Sequence, residues 1–174
     1  MIHPGDCLDI LPTQTTFTRG LRSSASQEWE TPRDLFDALD REFHFTLDVC
    51  ATPQNAKCKR YFTVEDDGLS QSWAGETCWM NPPYGRVIGH WMRKALSEYK
   101  GGATVVCLVP SRTDAKWWWD TAMQVWPHGI RFIRGRVRFS GSSCSAPFPS
   151  AIIVFGGETR IAPAKAQELL PETV

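Results

Sequence analysis

A double proline directly after a short apolar run is the feature that most constrains how this chain folds. The run Thr77–Met80 has the composition of a buried strand, and Asn81-Pro82-Pro83-Tyr84 ends it. Neither proline has an N–H to donate to a sheet, and each pushes the residue before it out of the helical region. The chain must therefore leave the strand in a stiff, extended corner. We expect this corner to aim the Asn81 side-chain oxygen and the Pro82 carbonyl the same way, with the Tyr84 ring nearby.

Strand-like and helix-like segments alternate along the rest of the chain, which is typical of an α/β fold. Leu35, Phe36 and Leu39 recur at helical spacing after Thr31-Pro32, where threonine is a good cap and proline a good first helical residue. The continuous apolar run 103–109 is typical of a strand covered on both faces. We therefore predict a mostly parallel sheet. Further strands are expected at 45–50, 60–64 and 151–155, with an antiparallel edge pair at 130–134 and 136–139.

Bulk composition is that of one ordinary globular domain. The chain has 174 residues, 42% of them apolar, and 19 basic side chains balance 19 acidic ones. Zero net charge argues against a protein that coats nucleic acid non-specifically, although a local basic face is compatible with it. We divide the chain into a flexible arm at 1–27, one globular domain at 28–157 and a polar tail at 158–174.

The six cysteines form no C-x-x-C pair and no Cys/His cluster with zinc spacing. The chain shows no signal peptide and no apolar run near 18 residues. We therefore expect a reduced, cytoplasmic protein with no metal and no membrane partner. Oligomeric state leaves no readable signal.

The Asn-Pro-Pro-Tyr corner has a specific chemical use. Two fixed acceptors beside an aromatic ring suit a planar group that bears an NH2, such as the exocyclic amine of adenine. That amine is a poor nucleophile, and two acceptors that grip its hydrogens favour a tetrahedral nitrogen with a localised lone pair. In this interpretation Tyr84 stacks on the base. The alternative is an ordinary Asn/Pro turn in which the tyrosine serves only for packing.

The chain resembles the phage-type DNA N6-adenine methyltransferases from about residue 27 to about residue 156, and the ordered set of motifs makes the resemblance specific. The motifs are Trp29-Glu30-Thr31-Pro32, Leu47-Asp48-Val49-Cys50-Ala51, Arg60-Tyr61-Phe62-Thr63, Asp67-Gly68-Leu69, Trp73, Asn81-Pro82-Pro83-Tyr84, and the segments 108–114, 135–139 and 146–150. The resemblance implies a Rossmann-like methyltransferase sheet. It also implies direct methyl transfer from S-adenosylmethionine to adenine N6 of a base flipped out of double-stranded DNA.

The resemblance also implies roles for individual residues. Asn81, Pro82 and Tyr84 are the expected catalytic group. The expected cofactor-binding residues are Trp29, Thr31, Pro32, Asp48, Cys50, Asp67 and Leu69. The expected DNA-binding residues are Pro83, Arg112, Arg136 and Arg138.

Two of the cofactor assignments have structural alternatives. Asp48 is expected to meet the ammonium group of the cofactor, but it could instead bond the turn that follows it. Asp67 is expected to accept from the cofactor's hydroxyls or amine, but acidic turns are also common on surfaces. The turn at 51–55 has no glycine and so departs from the glycine-rich loop usual in nucleotide-binding folds.

The arginines allow two interpretations as well. Arg112 follows a predicted strand and is expected to bind a phosphate or stack on a base, or else to pair with Asp114. Arg136 and Arg138 are expected to track DNA. Arg131 and Arg134 fit DNA binding and a charged sheet edge equally.

Two rival functions remain at this stage. The same chemistry could act on RNA or on a protein glutamine, whose amide is also a planar NH2. Alternatively, the chain could be a catalytically inactive nucleic-acid-binding domain of the same fold, which the glycine-free turn would explain.

Overall fold

The computed structural model describes residues 29–142 and 144–156, which form one six-stranded sheet with helices packed on it. The predicted arm at 1–27 and tail at 158–174 lie outside the described residues. No helix within the described part has the length and apolar character needed to cross a membrane. The elements are α1 Arg33–Phe43, β1 Leu47–Asp48, β2 Arg60–Tyr61, β3 Thr77–Met80, α2 Ile88–Lys100, β4 Thr104–Pro110, α3 Lys116–Asp120, a 3-10 helix Ala122–Val125, β5 Ile130–Phe132 and β6 Ser150–Phe155.

The strands follow the order β2-β1-β3-β4-β6-β5. The first four are parallel, and β6 lies antiparallel between β4 and β5. The predicted α/β class is therefore confirmed: the sheet is mostly parallel, and its antiparallel pairing lies at one edge.

One predicted strand is wrong. Residues 136–139 form no strand, and the antiparallel partner of β5 is β6. The alternation that suggested a strand is real, because Val137 and Phe139 are buried while Arg136 and Arg138 are exposed. It arises in a loop that packs its apolar side chains inward. The Val137 carbonyl accepts from the Ala146 amide rather than from a sheet neighbour.

The centre of the sheet is apolar because β4 is covered on both faces. Six of its seven residues are buried, and so is every residue of β6. On one face Trp79 of β3 contacts Phe36 of α1 and also Phe45, with ring centroids 5.6 and 5.5 Å apart. On the other face Tyr99 of α2 packs against Phe155.

The first helix begins as predicted but is not capped by Thr31. Its N-cap residue is Pro32, and no side chain caps its amides. The Thr31 hydroxyl instead accepts a hydrogen bond from the Asn81 side chain. The residue that precedes the helix therefore connects α1 to the corner that follows β3.

Arg131 belongs to the scaffold. Both of its terminal nitrogens donate to the Glu42 carboxylate of α1, at 2.7 and 2.6 Å, and its guanidinium lies over the Phe43 ring. Only 12% of the Arg131 side chain is exposed. The bidentate pair ties the edge strand to α1, so Arg131 is neither a solvated edge charge nor presented to DNA.

Candidate active site

A cavity of about 260 Å³ opens at the carboxyl ends of the parallel strands. Its volume is close to about 300 Å³, the lower end of the range for pockets that bind small molecules. Asp48 ends β1 and Asn81 follows β3, so the parallel direction brings both to this edge. The lining residues are Trp29, Glu30, Thr31, Asp48, Cys50, Ala51, Thr52, Asn55, Lys57, Thr63, Val64, Asp67, Gly68, Trp79, Asn81, Pro82, Pro83 and Trp91.

The Asn81 amide is held at both of its ends. Its Nδ2 donates to the Trp29 carbonyl oxygen and, at 3.0 Å, to Thr31 Oγ1. Its Oδ1 accepts from the Tyr84 hydroxyl at 2.9 Å. Because both amide hydrogens face acceptors, the oxygen cannot exchange places with the nitrogen without losing these bonds. One lone pair of Oδ1 is left for a ligand, and the amide needs no reorganisation to present it.

Tyr84 lies beneath the corner rather than on its surface. Its ring is 8% exposed and meets Phe148 and Phe139 edge-on, with centroids 5.5 and 6.2 Å away. Tyr84 is not among the cavity-lining residues. In this arrangement the ring is not presented to a base, because the aromatic cluster encloses it. Burial raises the pKa of its phenol well above the usual range, so the hydroxyl stays a neutral donor to Asn81.

Asp48 is a buried carboxylate that organises the loop after β1. Its Oδ2 accepts from the Lys57 amide at 3.0 Å and its Oδ1 from the Cys50 amide at 3.4 Å. Burial raises its pKa from 3.8 to about 6, and these two amides oppose that rise. Both alternatives for Asp48 therefore find support: the carboxylate bonds the following turn, and it also lines the cavity.

The Asp48 pKa predicts a measurable pH dependence of stability. The folded state binds this proton more tightly than the unfolded state does, so stability falls as pH rises from about 4 to about 6 and levels off above that. We expect Asp48 to account for a loss of about 3 kcal/mol over this range. Urea unfolding of the wild type and of Asp48→Asn at several pH values measures it. The difference between the two curves should change by this amount, and two parallel curves would contradict the prediction.

The other predicted cofactor residues divide into two groups. Trp29, Thr31, Cys50 and Asp67 line the cavity, whereas Pro32 and Leu69 are not among the lining residues. Burial raises the pKa of the Cys50 thiol well above its usual range, so this group is a neutral wall and not a nucleophile. Asp67 is exposed at the rim and has a φ of 50°, a left-handed conformation that aspartate tolerates better than most residues.

The predicted DNA residues differ in their position relative to the cavity. Pro83 lines it. Arg112, Arg136 and Arg138 are exposed, the first on the loop that follows β4. Within the described part of the chain, no ion pair joins Arg112 to Asp114. The loop that carries Arg138 is fixed beside the cavity, because the Ser140 amide donates to the Glu30 carbonyl oxygen.

Sequence reasoning missed several wall residues. Lys57 is one of them, the one cationic side chain among the described residues that line the cavity. Trp91 of α2 also lines the cavity, and it stacks on Trp73. The other missed wall residues are Glu30, Ala51, Thr52, Asn55, Thr63, Val64, Gly68 and Trp79.

The charged and aromatic side chains of the cavity wall suit a ligand that carries both charged groups and a flat ring. Three carboxylates, from Glu30, Asp48 and Asp67, face one ammonium, from Lys57, so the wall is net negative. The indoles of Trp29 and Trp91 supply apolar surface. These groups fit S-adenosylmethionine, which has an ammonium, a carboxylate, a sulfonium, a ribose diol and an adenine ring. No group of three or more His, Cys, Asp or Glu side chains within 29–142 and 144–156 is placed to hold a metal ion.

An open, mostly parallel sheet with this corner and cavity at its carboxyl edge defines an α/β protein of the Rossmann-like methyltransferase type. The family model described as DNA N-6-adenine-methyltransferase (Dam) matches residues 19–157. The chain therefore belongs to the Dam family of DNA N-6-adenine-methyltransferases, and the predicted family is confirmed.

Two phage proteins illustrate the relationship. A DNA N-6-adenine-methyltransferase of Haemophilus phage HP1 (strain HP1c1) is 34% identical over 98 residues, which cover 55% of this chain and 57% of that protein. A DNA N-6-adenine-methyltransferase of Escherichia phage T1 is 26% identical over 91 residues, covering 51% of this chain and 38% of that protein. The chain thus spans less than two thirds of the length of either relative.

Proposed function

We propose that this chain methylates N6 of adenine in double-stranded DNA, with S-adenosylmethionine as the methyl donor. The observation that carries the proposal is the Asn81 amide, which is fixed by Trp29, Thr31 and Tyr84 at the wall of the cavity. Family membership and the two phage relatives support adenine as the acceptor. A reaction on DNA places the protein in the cytosol of a bacterium or of a phage-infected host.

Asn81 and Pro82 would act on the acceptor amine. The remaining lone pair of Asn81 Oδ1 and the Pro82 carbonyl each accept one N6 hydrogen, which opposes delocalisation of the nitrogen lone pair into the ring. This interaction is stronger in the transition state than in the ground state, so it raises the rate and not only the affinity. Bound S-adenosylmethionine supplies an electrophilic methyl group.

Tyr84 would act through Asn81. Its hydroxyl donates to Asn81 Oδ1 and, at 3.4 Å, to the Leu108 carbonyl oxygen, so it fixes the direction of the free lone pair. We therefore assign Tyr84 as a positioning residue, a role different from base stacking.

The target amine lies inside a duplex, so the base must leave the stack, at a cost of a few kcal/mol. We assign exposed arginines of two loops to the distorted DNA backbone. Arg112, Arg136 and Arg138 lie on two loops that border the carboxyl edge, and we propose that they bind phosphates.

Transfer of tritium from labelled S-adenosylmethionine tests the acceptor. DNA, RNA and a glutamine-containing protein extract are supplied in parallel, and the labelled DNA is digested to nucleosides. We expect label in DNA as N6-methyladenine. Label confined to RNA or protein would establish a rival acceptor, and no label above the Asn81→Ala background would establish an inactive domain.

Arg112 provides a separate test of the DNA surface. We expect Arg112→Ala to weaken DNA binding and to lower the slope of log affinity against log salt by about 1, because one phosphate contact is lost. Fluorescence anisotropy with a labelled duplex at several salt concentrations measures both quantities.

Lys100→Ala is the matched control for this experiment. It removes one exposed positive charge at the end of α2, which leads into the amino end of β4 and so lies at the opposite edge of the sheet. Its salt slope should equal that of the wild type. Equal slopes for Arg112→Ala and the wild type would exclude a phosphate contact at Arg112.

A further inference from the structure

Lys57 is the one cationic side chain among the described residues that line the cavity. Its side chain is 9% exposed, and its Nζ lies 3.1 Å from Glu30 Oε1, the carboxylate of a side chain that is 39% exposed. An ammonium has three hydrogens to donate, and Glu30 takes one. A buried cation with donors to spare, at the wall of a cavity, is placed to meet an anionic ligand group.

The backbone of Lys57 is fixed by Asp48, whose carboxylate also lines the cavity. The Lys57 amide donates to Asp48 Oδ2 at 3.0 Å. Earlier in the loop, the Cys50 amide donates to Asp48 Oδ1, and the Thr52 amide donates to Asn55 Oδ1 at 2.7 Å. Hydrogen bonds therefore hold the segment between Cys50 and Lys57 at both ends, although residues 51–55 contain no glycine. This loop therefore presents a carboxylate and an ammonium as one rigid unit.

A carboxylate next to an ammonium is complementary to the amino-acid end of a ligand, where an ammonium and a carboxylate share one carbon. In a glycine-rich turn the backbone itself approaches the anionic group of the ligand. Here the turn has no glycine, and the Lys57 side chain supplies the positive charge. The first amides of α1 begin at Arg33, three residues beyond Glu30. They lack backbone acceptors within the helix and carry the positive end of its dipole.

We propose that Lys57 binds the carboxylate of the amino-acid end of S-adenosylmethionine, while Asp48 faces the adjacent ammonium. The proposal rests on the proposed function, because it takes that cofactor as the ligand. Glu30 holds the Lys57 ammonium in place in the free protein and shares it with the ligand after binding.

Calorimetric titration with two ligands tests the proposal without any need for turnover. The first ligand is S-adenosylhomocysteine, and the second is its decarboxylated analogue, which differs only in lacking the carboxylate. We expect Lys57→Met to weaken binding of the first about 10- to 100-fold, since a charge-assisted hydrogen bond is lost. Binding of the decarboxylated analogue should change by less than about 3-fold.

Three further variants make the result decisive. Lys116→Met removes the same charge from an exposed ion pair on α3, outside the cavity, and should bind both ligands as the wild type does. Lys57→Gln has a polar, uncharged group at the end of its side chain, and it replaces Lys57→Met if thermal unfolding shows that the methionine variant does not fold. Lys57→Arg keeps the charge and should recover part of the affinity for S-adenosylhomocysteine.

The proposal and the function on which it rests fail in different ways. If the wild type binds neither ligand, the proposed cofactor is wrong. If the wild type binds S-adenosylhomocysteine but the Lys57 variants weaken both ligands equally, or neither, the cofactor stands and the role of Lys57 is overturned.

Discussion

Asn81→Ala is expected to lower methyl transfer about 100- to 1,000-fold, the usual cost of removing one preorganised group that stabilises a transition state. The substitution removes the acceptor that faces the amine, and it also leaves the Tyr84 hydroxyl without its 2.9 Å partner. Single-turnover transfer to an adenine-containing duplex measures the chemical step directly.

The same variant has a built-in control. S-adenosylhomocysteine binds in place of the methyl donor and not of the target base, so its affinity for Asn81→Ala should remain within about 3-fold of the wild-type value. Asn81→Asp extends the test, because it keeps an oxygen acceptor but loses the two hydrogens that face Trp29 and Thr31. Its rate should fall between those of the wild type and the alanine variant. A wild-type rate for Asn81→Ala would remove the proposed mechanism.

Tyr84→Ala is expected to destabilise the fold by about 3–5 kcal/mol, because it removes a buried ring from the cluster with Phe139 and Phe148. Urea unfolding measures the free energy of unfolding of each variant.

Tyr84→Phe separates packing from positioning. It keeps the ring and loses the hydroxyl, so we expect about 1 kcal/mol of destabilisation. The rate of transfer should fall about 10-fold, since Asn81 loses the donor that orients its oxygen. If Tyr84 instead stacks on the base, Tyr84→Phe should react as fast as the wild type, because a phenyl ring stacks equally well.

The strands and helices were largely predictable. The continuous apolar run of β4 and the helical spacing of apolar residues in α1 are both local sequence patterns. The first predicts a strand that is buried on both faces, and the second predicts a helix that is buried on one face. The stretch 136–139 was not predictable, because the same alternation of buried and exposed residues arises in a packed loop as in a strand. The loop is distinguished from a strand by its hydrogen bonds, since the Val137 carbonyl accepts from the Ala146 amide and not from a neighbouring strand.

The sequence by itself determined where the chain leaves the sheet, because two consecutive prolines restrict the backbone whatever surrounds them. It also determined that Asp48 and Asn81 would share an edge, since both lie at the carboxyl ends of strands that run the same way. Only the tertiary structure decided which side chains complete the site. Lys57 reaches the cavity because Asp48 bonds its amide, and Tyr84 is turned away from the cavity because Phe139 and Phe148, distant in sequence, enclose its ring. The direction of a side chain depends on packing between remote segments, and no local pattern records that packing.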